Sequence, residues 1–230
     1  MLDNNIKLIL KNLSLNLSEI INKNIFYYTH FSNCLNLLKF LYTQDINSNL
    51  NFEDLELNNE IFTKEFIMFN PNITVNLHFN ITSLIDDYNR NTFNTDTSPV
   101  LSGNIDFLLS NYNIEYTPTS SFSKHHIYSK QLLFATQFIA DDIYLLIIDG
   151  NHRITAKLNQ AQDCYVKIVY IQPEDIINYM PSKFEQCFYL FLFEINNFSS
   201  FNINNLLHSL IFKHFKEEYL ICSNTPIIPK

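Results

Sequence analysis

The chain reads as an α+β protein: a small mixed sheet packed with helices, flanked by further helices at its N- and C-terminal ends. Three observations give that class. Residues 143–171, IYLLIIDGNHRITAKLNQAQDCYVKIVYI, run as apolar strand, tight turn, short helix and alternating strand. Residues 73–79 alternate cleanly, with Ile73, Val75, Leu77 and Phe79 against Thr74, Asn76 and His78. Both ends of the chain carry apolar residues at helical spacing. The 230 residues are 47% hydrophobic and 15% aromatic, enough for a large core. That composition argues against disorder despite about thirty asparagines.

Taken in order, Ile6, Ile9, Leu10, Leu13, Leu17, Ile20 and Ile21 recur as one helical stripe. A second helix, capped by Ser32, runs to Tyr42 with Leu35, Leu38 and Leu41 inward. Thr43 to Asn59 reads as an acidic, solvated linker containing Glu53, Asp54 and Glu56. Ile61 to Phe69 and Ile73 to Phe79 are two strands around the Asn-Pro-Asn turn at 70–72. His78 falls on the polar face of the second and is expected to be exposed. Ser83 to Asn89 is a short helix, followed by a polar loop to Pro99. Gly103 follows a Ser-Pro turn, and Ile105 to Leu109 is another short helix.

Gln131 to Ile139 is a strand, and Ala140-Asp141-Asp142 turns it into the strand that begins at Ile143. Pro173-Glu174-Asp175 opens a helix, with proline in the first turn and acids where the dipole favours them. Two helices close the chain, Lys183 to Glu194 and Asn204 to Leu220, with Phe184, Phe188, Phe191 and Phe215 as core residues. These elements divide the chain into an N-terminal extension 1–95, a central domain 96–180 and a C-terminal helical extension 181–230.

The net charge is −8 and the isoelectric point about 5.3. A broad DNA-binding surface needs an excess of cations to neutralise phosphates, so DNA is not a favoured partner, though a local basic pocket is allowed. Cys34, Cys164, Cys187 and Cys222 are far apart, with no Cys-x-x-Cys pair and no zinc-like Cys/His spacing. They read as reduced, buried thiols. His208 and His214 are six apart, which is not a ligand spacing on one helical face, so no metal site is assigned. The chain opens on no basic-then-apolar leader. Its longest apolar stretch, Phe184 to Ile195, is too short to span a bilayer and contains Glu185. A cytoplasmic protein without a membrane partner is expected.

The chemistry concentrates in Asp149-Gly150-Asn151-His152-Arg153. The chain has only two glycines and two arginines, and this box holds one of each. Glycine at a strand-to-helix turn permits a positive φ or close approach of a ligand. The helix that follows points free N–H groups and the positive end of its dipole at that turn. His152 and Arg153, in its first turn, add charge-assisted donors. Together they make a phosphate cradle. The plainer alternative is that Asp149 caps the helix and Arg153 is solvated. A second stretch, TPTSSFSKHHIYSK at 117–130, clusters Lys124, His125, His126 and Lys130 with hydroxyl side chains, and reads either as a further phosphate contact or as a polar loop.

The box, its following Ala156 and the two flanking strands resemble the ParB/sulfiredoxin superfamily over about residues 130–179. The resemblance implies a ParB/sulfiredoxin-like core for residues 96–180, with the site built from the box and a preceding loop. Gly150, Asn151, His152, Arg153, Lys124, His125 and His126 are then the phosphate or nucleotide ligands. Asp149 and His152 are the catalytic candidates, and Glu115 and Asp141 are further candidate bases. Sulfiredoxins carry a cysteine where this chain has Asn151, so thiol chemistry of that kind is not expected. Partition proteins bind CTP and carry a helix-turn-helix; the segment after Tyr179 is too aromatic and too poor in Lys and Arg for one. Free-serine kinases of the superfamily carry a similar Asp-Gly-His-His-Arg box. The expectation is therefore a phosphate- or nucleotide-binding protein, taking a nucleoside triphosphate with Mg2+ or another phosphorylated small molecule. Phosphoryl transfer or hydrolysis is one outcome. The alternatives are a DNA-associated ParB-like regulator or nuclease, or a non-catalytic interaction protein. Oligomeric state is left open.

Overall fold

The computed structural model describes residues 10–11, 25–47, 57, 59–67, 74–90, 98–120, 124–139, 143–159, 164–197 and 208–223. It is mixed α+β, with one five-stranded and one two-stranded sheet. Its described elements are α1 (Ile25–Asn47), β1 (Ile61–Ile67), β2 (Thr74–Asn80), α2 (Ile81–Asn89), β3 (Val100–Asn104), α3 (Ile105–Asn111), β4 (Ile114–Glu115) and α4 (Lys124–Tyr128). There follow β5 (Leu133–Ile139), β6 (Ile143–Asp149), α5 (Asn151–Leu158), β7 (Tyr165–Ile171), α6 (Pro173–Ile176, then a 3-10 turn, Ile177–Tyr179), α7 (Lys183–Asn197), α8 (Leu210–His214) and α9 (Lys216–Ser223). Of the first helical stripe only Leu10 is among the described residues, where it is helical and buried; the turns at 70–72 and 140–142, and most of the polar loop before Pro99, lie outside them.

The chain divides into two compact units. One comprises the described residues of 58–62 and 79–179, the other those of 1–57, 63–78 and 180–230. The segments from the two chain ends thus share a unit.

The 79–179 unit is built on the sheet β3-β7-β5-β6-β4. Successive pairs are antiparallel, parallel, antiparallel and parallel. One sheet face packs against α3 and α5 through Ile105, Leu108, Leu133, Ala135, Ile147, Ile154, Val166 and Ile168. Gly103 stands opposite Val166, and a Cβ added there would lie 3.3 Å from Leu108, so the glycine brings α3 close to the sheet. Asparagines serve as caps here. Asn80 accepts from Ser83 N at 3.0 Å, and Asn104 from Asp106 N at 2.9 Å. Asn113 takes φ 47, a left-handed position that asparagine tolerates better than most residues.

Several sequence readings of this unit and the other need correction. The Ser-Pro turn leads into a strand, β3, which holds Gly103, and β4 was not anticipated. Ser32 lies buried inside α1 rather than capping it, because the helix begins earlier, at Ile25. The same helix continues through residues 43–47 of the supposed linker, where Asp45 accepts a hydrogen bond from Phe184 N at 3.0 Å. The closing helix is broken at Phe215 into α8 and α9.

The other unit packs α1 against α7 and α9, with Phe31 edge-on to Phe191 and Tyr42 to Phe184. A buried polar network crosses it. His30 Nε2 lies 3.0 Å from Glu194, and its Nδ1 lies 3.0 Å from the Tyr219 hydroxyl. Glu194 also accepts from the Ser209 hydroxyl (2.9 Å) and the Ile211 N–H (2.9 Å). One carboxylate on α7 thereby holds α1 and the first turn of α8, where its charge also suits the helix dipole. His78 is not exposed as expected: its Nδ1 lies 3.0 Å from Glu185, and that carboxylate also accepts the His78 N–H. A partner 107 residues away pulls the ring from solvent.

Candidate functional site

The box sits where the sequence places it. β6 ends at Asp149, Gly150 takes φ 103, and α5 begins at Asn151. The conformation and the space both demand glycine. A Cβ on residue 150 would fall 2.3 Å from Leu133 Cδ2 and 3.1 Å from Arg153 Nη2. The first intrahelical bond runs from Ile154 N to Gly150 O, and no side chain caps the helix. The N–H groups of Asn151, His152 and Arg153 therefore have no intrahelical acceptor and point at the turn.

Arg153 is neither a solvated cation nor an unpaired one. Its side chain is 14% exposed and that of Asp149 11%. Nη2 donates to Asp149 Oδ2 at 2.6 Å and to Leu132 O at 3.1 Å, and Nη1 donates to Gln131 Oε1 at 2.7 Å. Three acceptors on two elements fix the guanidinium plane across the turn. Its Nε–H is buried without an acceptor, and Nε lies 3.3 Å from where a Cβ on residue 150 would stand. Asp149 holds the arginine, and so is not the helix cap.

Asn151 is buried and acts as a bridge. Its Oδ1 accepts from Thr117 N at 2.8 Å, and its Nδ2 donates to Ile147 O at 3.2 Å. One turn on, Thr155 Oγ1 accepts from Thr119 N at 3.2 Å. Lys157, also buried, donates from Nζ to Ile127 O at 2.8 Å. Three side chains of α5 thus hold Thr117, Thr119 and Ile127 against its flank. Thr155 and Lys157 went unnoticed in the sequence. The only signal was their helical spacing from Asn151 and Arg153, four residues in each case.

Part of the second stretch stands beside the box. His126, half-buried on α4, stands with its ring centre 5.6 Å from that of the exposed His152, the planes tilted by 46°. His125 is exposed, Lys124 opens α4, and residues 121–123 lie outside the described residues. The Thr119 hydroxyl is buried without a partner. Of the other candidate bases, Glu115 accepts a hydrogen bond from Tyr144, whose hydroxyl is pushed above its ordinary range by burial and by that carboxylate. Asp141 lies outside the described residues. No group of three or more metal-ligating side chains occurs among the described residues. Nor is any described helix long and apolar enough to cross a membrane.

No known protein decides the matter. No family model, curated protein or solved structure matches the chain.

The arrangement can act chemically as an anion receptor. Backbone donors converge on a turn that only glycine can make, beside an immobilised guanidinium whose buried Nε–H is unspent. Asn151 offers no nucleophile, since its amide is engaged on both sides.

Proposed function

We propose that the protein binds a phosphate group, as part of a nucleotide or another phosphorylated small molecule, at the N-terminus of α5. One observation carries this reading: the buried Arg153 Nε–H has no acceptor and lies close to Gly150, at the first turn of α5. A buried donor left unsatisfied costs about 1–3 kcal/mol, and a phosphate oxygen seated at the turn removes that cost. The ParB/sulfiredoxin-like box supports the same assignment, with Gly150, Asn151 and His152 giving backbone donors and His152 adding its ring. The Asn151 side chain holds Thr117 N and not the ligand. Asp149 orients Arg153, so a nucleotide-dependent phosphoryl transfer or hydrolysis at this site needs a different base. A small ligand fits the chain's net charge of −8 better than DNA does.

The test is a thermal-shift and calorimetric screen of the full chain against ATP, CTP, GTP and their diphosphates, with and without Mg2+. Arg153→Ala would strand the Asp149 carboxylate, so the paired variant Asp149→Asn/Arg153→Gln is measured beside it. Wild-type binding that weakens tenfold or more in the paired variant is expected, matching about 1.5–3 kcal/mol for a charge-assisted hydrogen bond. Absence of binding at millimolar nucleotide overturns the nucleotide reading, and absence of binding of inorganic phosphate as well overturns the anion site.

A further inference from the structure

We propose that His126 and His152 form a two-imidazole half-site for a borderline divalent transition metal of the Zn2+, Co2+ or Ni2+ class. Two imidazoles that ligate one ion through nitrogens about 2.1 Å from it bring their ring centres to roughly 4.6–5.6 Å for ligand angles of about 90–120°. The observed separation is 5.6 Å, and the rings are tilted by 46° rather than stacked. The two backbones that carry the rings are held to one another. His152 projects from the first turn of α5, and α4 is held to that helix by Lys157 on the carbonyl of Ile127, directly after His126. The N–H groups of Thr117 and Thr119 donate to Asn151 and Thr155 on the same helix. Each imidazole ligates through one nitrogen and keeps the other for a hydrogen bond, as ligating histidines commonly do.

The donor set selects the metal. Imidazole nitrogen suits Zn2+, Co2+, Ni2+ and Cu2+, whereas Mg2+ prefers oxygen. The described residues supply no third protein ligand, so the remaining positions fall to water or an added oxygen donor. His152 belongs to the turn that presents the anion-binding N–H groups, which makes a phosphate oxygen the natural occupant of one open position. That last step rests on the anion site proposed at α5; the metal half-site stands on the two imidazoles alone.

The experiment uses the full chain without an affinity tag. Co2+, Ni2+ and Mg2+ are titrated separately by calorimetry, and inorganic phosphate is titrated in EDTA. Wild type is compared with His126→Ala, His152→Ala, His125→Ala and the Asp149→Asn/Arg153→Gln pair, each checked for an unchanged melting temperature. One Co2+ or Ni2+ per chain is expected. Affinity should fall in both His126→Ala and His152→Ala by at least the roughly tenfold that losing even an outer-shell partner costs. It should hold in His125→Ala and in the paired variant. No Co2+ or Ni2+ binding, binding indifferent to His126 and His152, or a preference for Mg2+ each overturns the half-site. Phosphate binding in EDTA reports on the anion site separately, so either proposal can fail while the other stands.

Discussion

Replacing Gly150 by alanine tests the geometry on which the site depends. At φ 103 an L-residue pays the left-handed penalty, about 1–2 kcal/mol. The new Cβ also meets Leu133 Cδ2 at 2.3 Å, more than 1 Å inside the roughly 3.5–4.0 Å of an ordinary carbon contact. Leu133 is 1% exposed and packed among Ile147, Ile154 and Ile168, so it has no free volume to retreat into. Overpacking of this kind costs about 1–3 kcal/mol. Alanine also restricts the unfolded chain, which offsets about 0.4–1 kcal/mol. The expected loss is about 2–4 kcal/mol. The chain's other glycine is the internal control. Gly103 has no positive φ, and its added Cβ would sit 3.3 Å from the movable side chain of Leu108, so Gly103→Ala should stay within about 1 kcal/mol of wild type. Urea unfolding followed by circular dichroism gives the losses, and hydrogen exchange over residues 143–158 locates them. A double-mutant cycle separates clash from backbone. Leu133→Ala should cost about 1–3 kcal/mol less in the Gly150→Ala background than alone. A Gly150→Ala variant within about 0.5 kcal/mol of wild type, or a costlier Gly103→Ala, refutes the reasoning.

Three further outcomes concern the other unit. Glu194→Ala removes the acceptor from His30, Ser209 and Ile211 N and should cost about 3–5 kcal/mol in urea unfolding; a loss under 1 kcal/mol shows that the network is not what joins α1, α7 and α8. Burial first, and then the Glu194 carboxylate, push the Cys34 and Cys187 thiols well above their ordinary range. At pH 8 an alkylating reagent followed by mass spectrometry should leave both unmodified until denaturant is added, and rapid native labelling of either contradicts the packing. The Glu218 carboxyl is held below its ordinary value of 4.5 by a hydrogen bond from the Lys183 ammonium. Because the folded value is the lower one, this pair adds stability above about pH 4.5 and loses it as pH falls through the folded value. Lys183 is exposed, so the contribution is about 0.2–1 kcal/mol, and Lys183→Met should flatten the acid limb of the stability profile by no more than that.

The strand-turn-helix-strand unit was legible because each part is locally determined. Ile143–Asp149 has a β-branched run, Gly150 the turn, and α5 its amphipathic spacing. β3 was not, because Val-Leu-Ser-Gly-Asn has neither alternation nor strong β propensity. Its conformation comes from pairing with β7, where even Pro99 O accepts from Tyr170 N. Likewise His78 alternates onto a polar face, and only a glutamate distant in sequence reverses the expectation of exposure. The glycine and the position of the box could be read in advance. The fixing of Arg153 by Asp149 could not, although the two are four apart. Asp149 precedes the helix, and the left-handed turn at Gly150 is what swings its carboxylate back over the first turn.

That pairing shapes what the site can bind. Asp149 cancels the charge of Arg153, so the cradle offers directional donors and a helix dipole but little net positive charge. Such a site discriminates by geometry, yet a multiply charged phosphate gains less from it than from an unpaired arginine. A cation at the turn would restore the balance. The proposed imidazole pair lies at the right place to hold one, on His152 within the turn proposed to bind the anion and on His126 of α4 beside it. The two proposals are thereby coupled: a metal at the half-site should tighten phosphate, and phosphate should tighten the metal by the same factor, because linkage between binding free energies is reciprocal. Measuring Ni2+ affinity with and without saturating phosphate, and phosphate affinity with and without Ni2+, gives two values of that factor. A factor above unity, equal in the two directions, shows that the two ligands are coupled, and a factor of one shows that they bind independently.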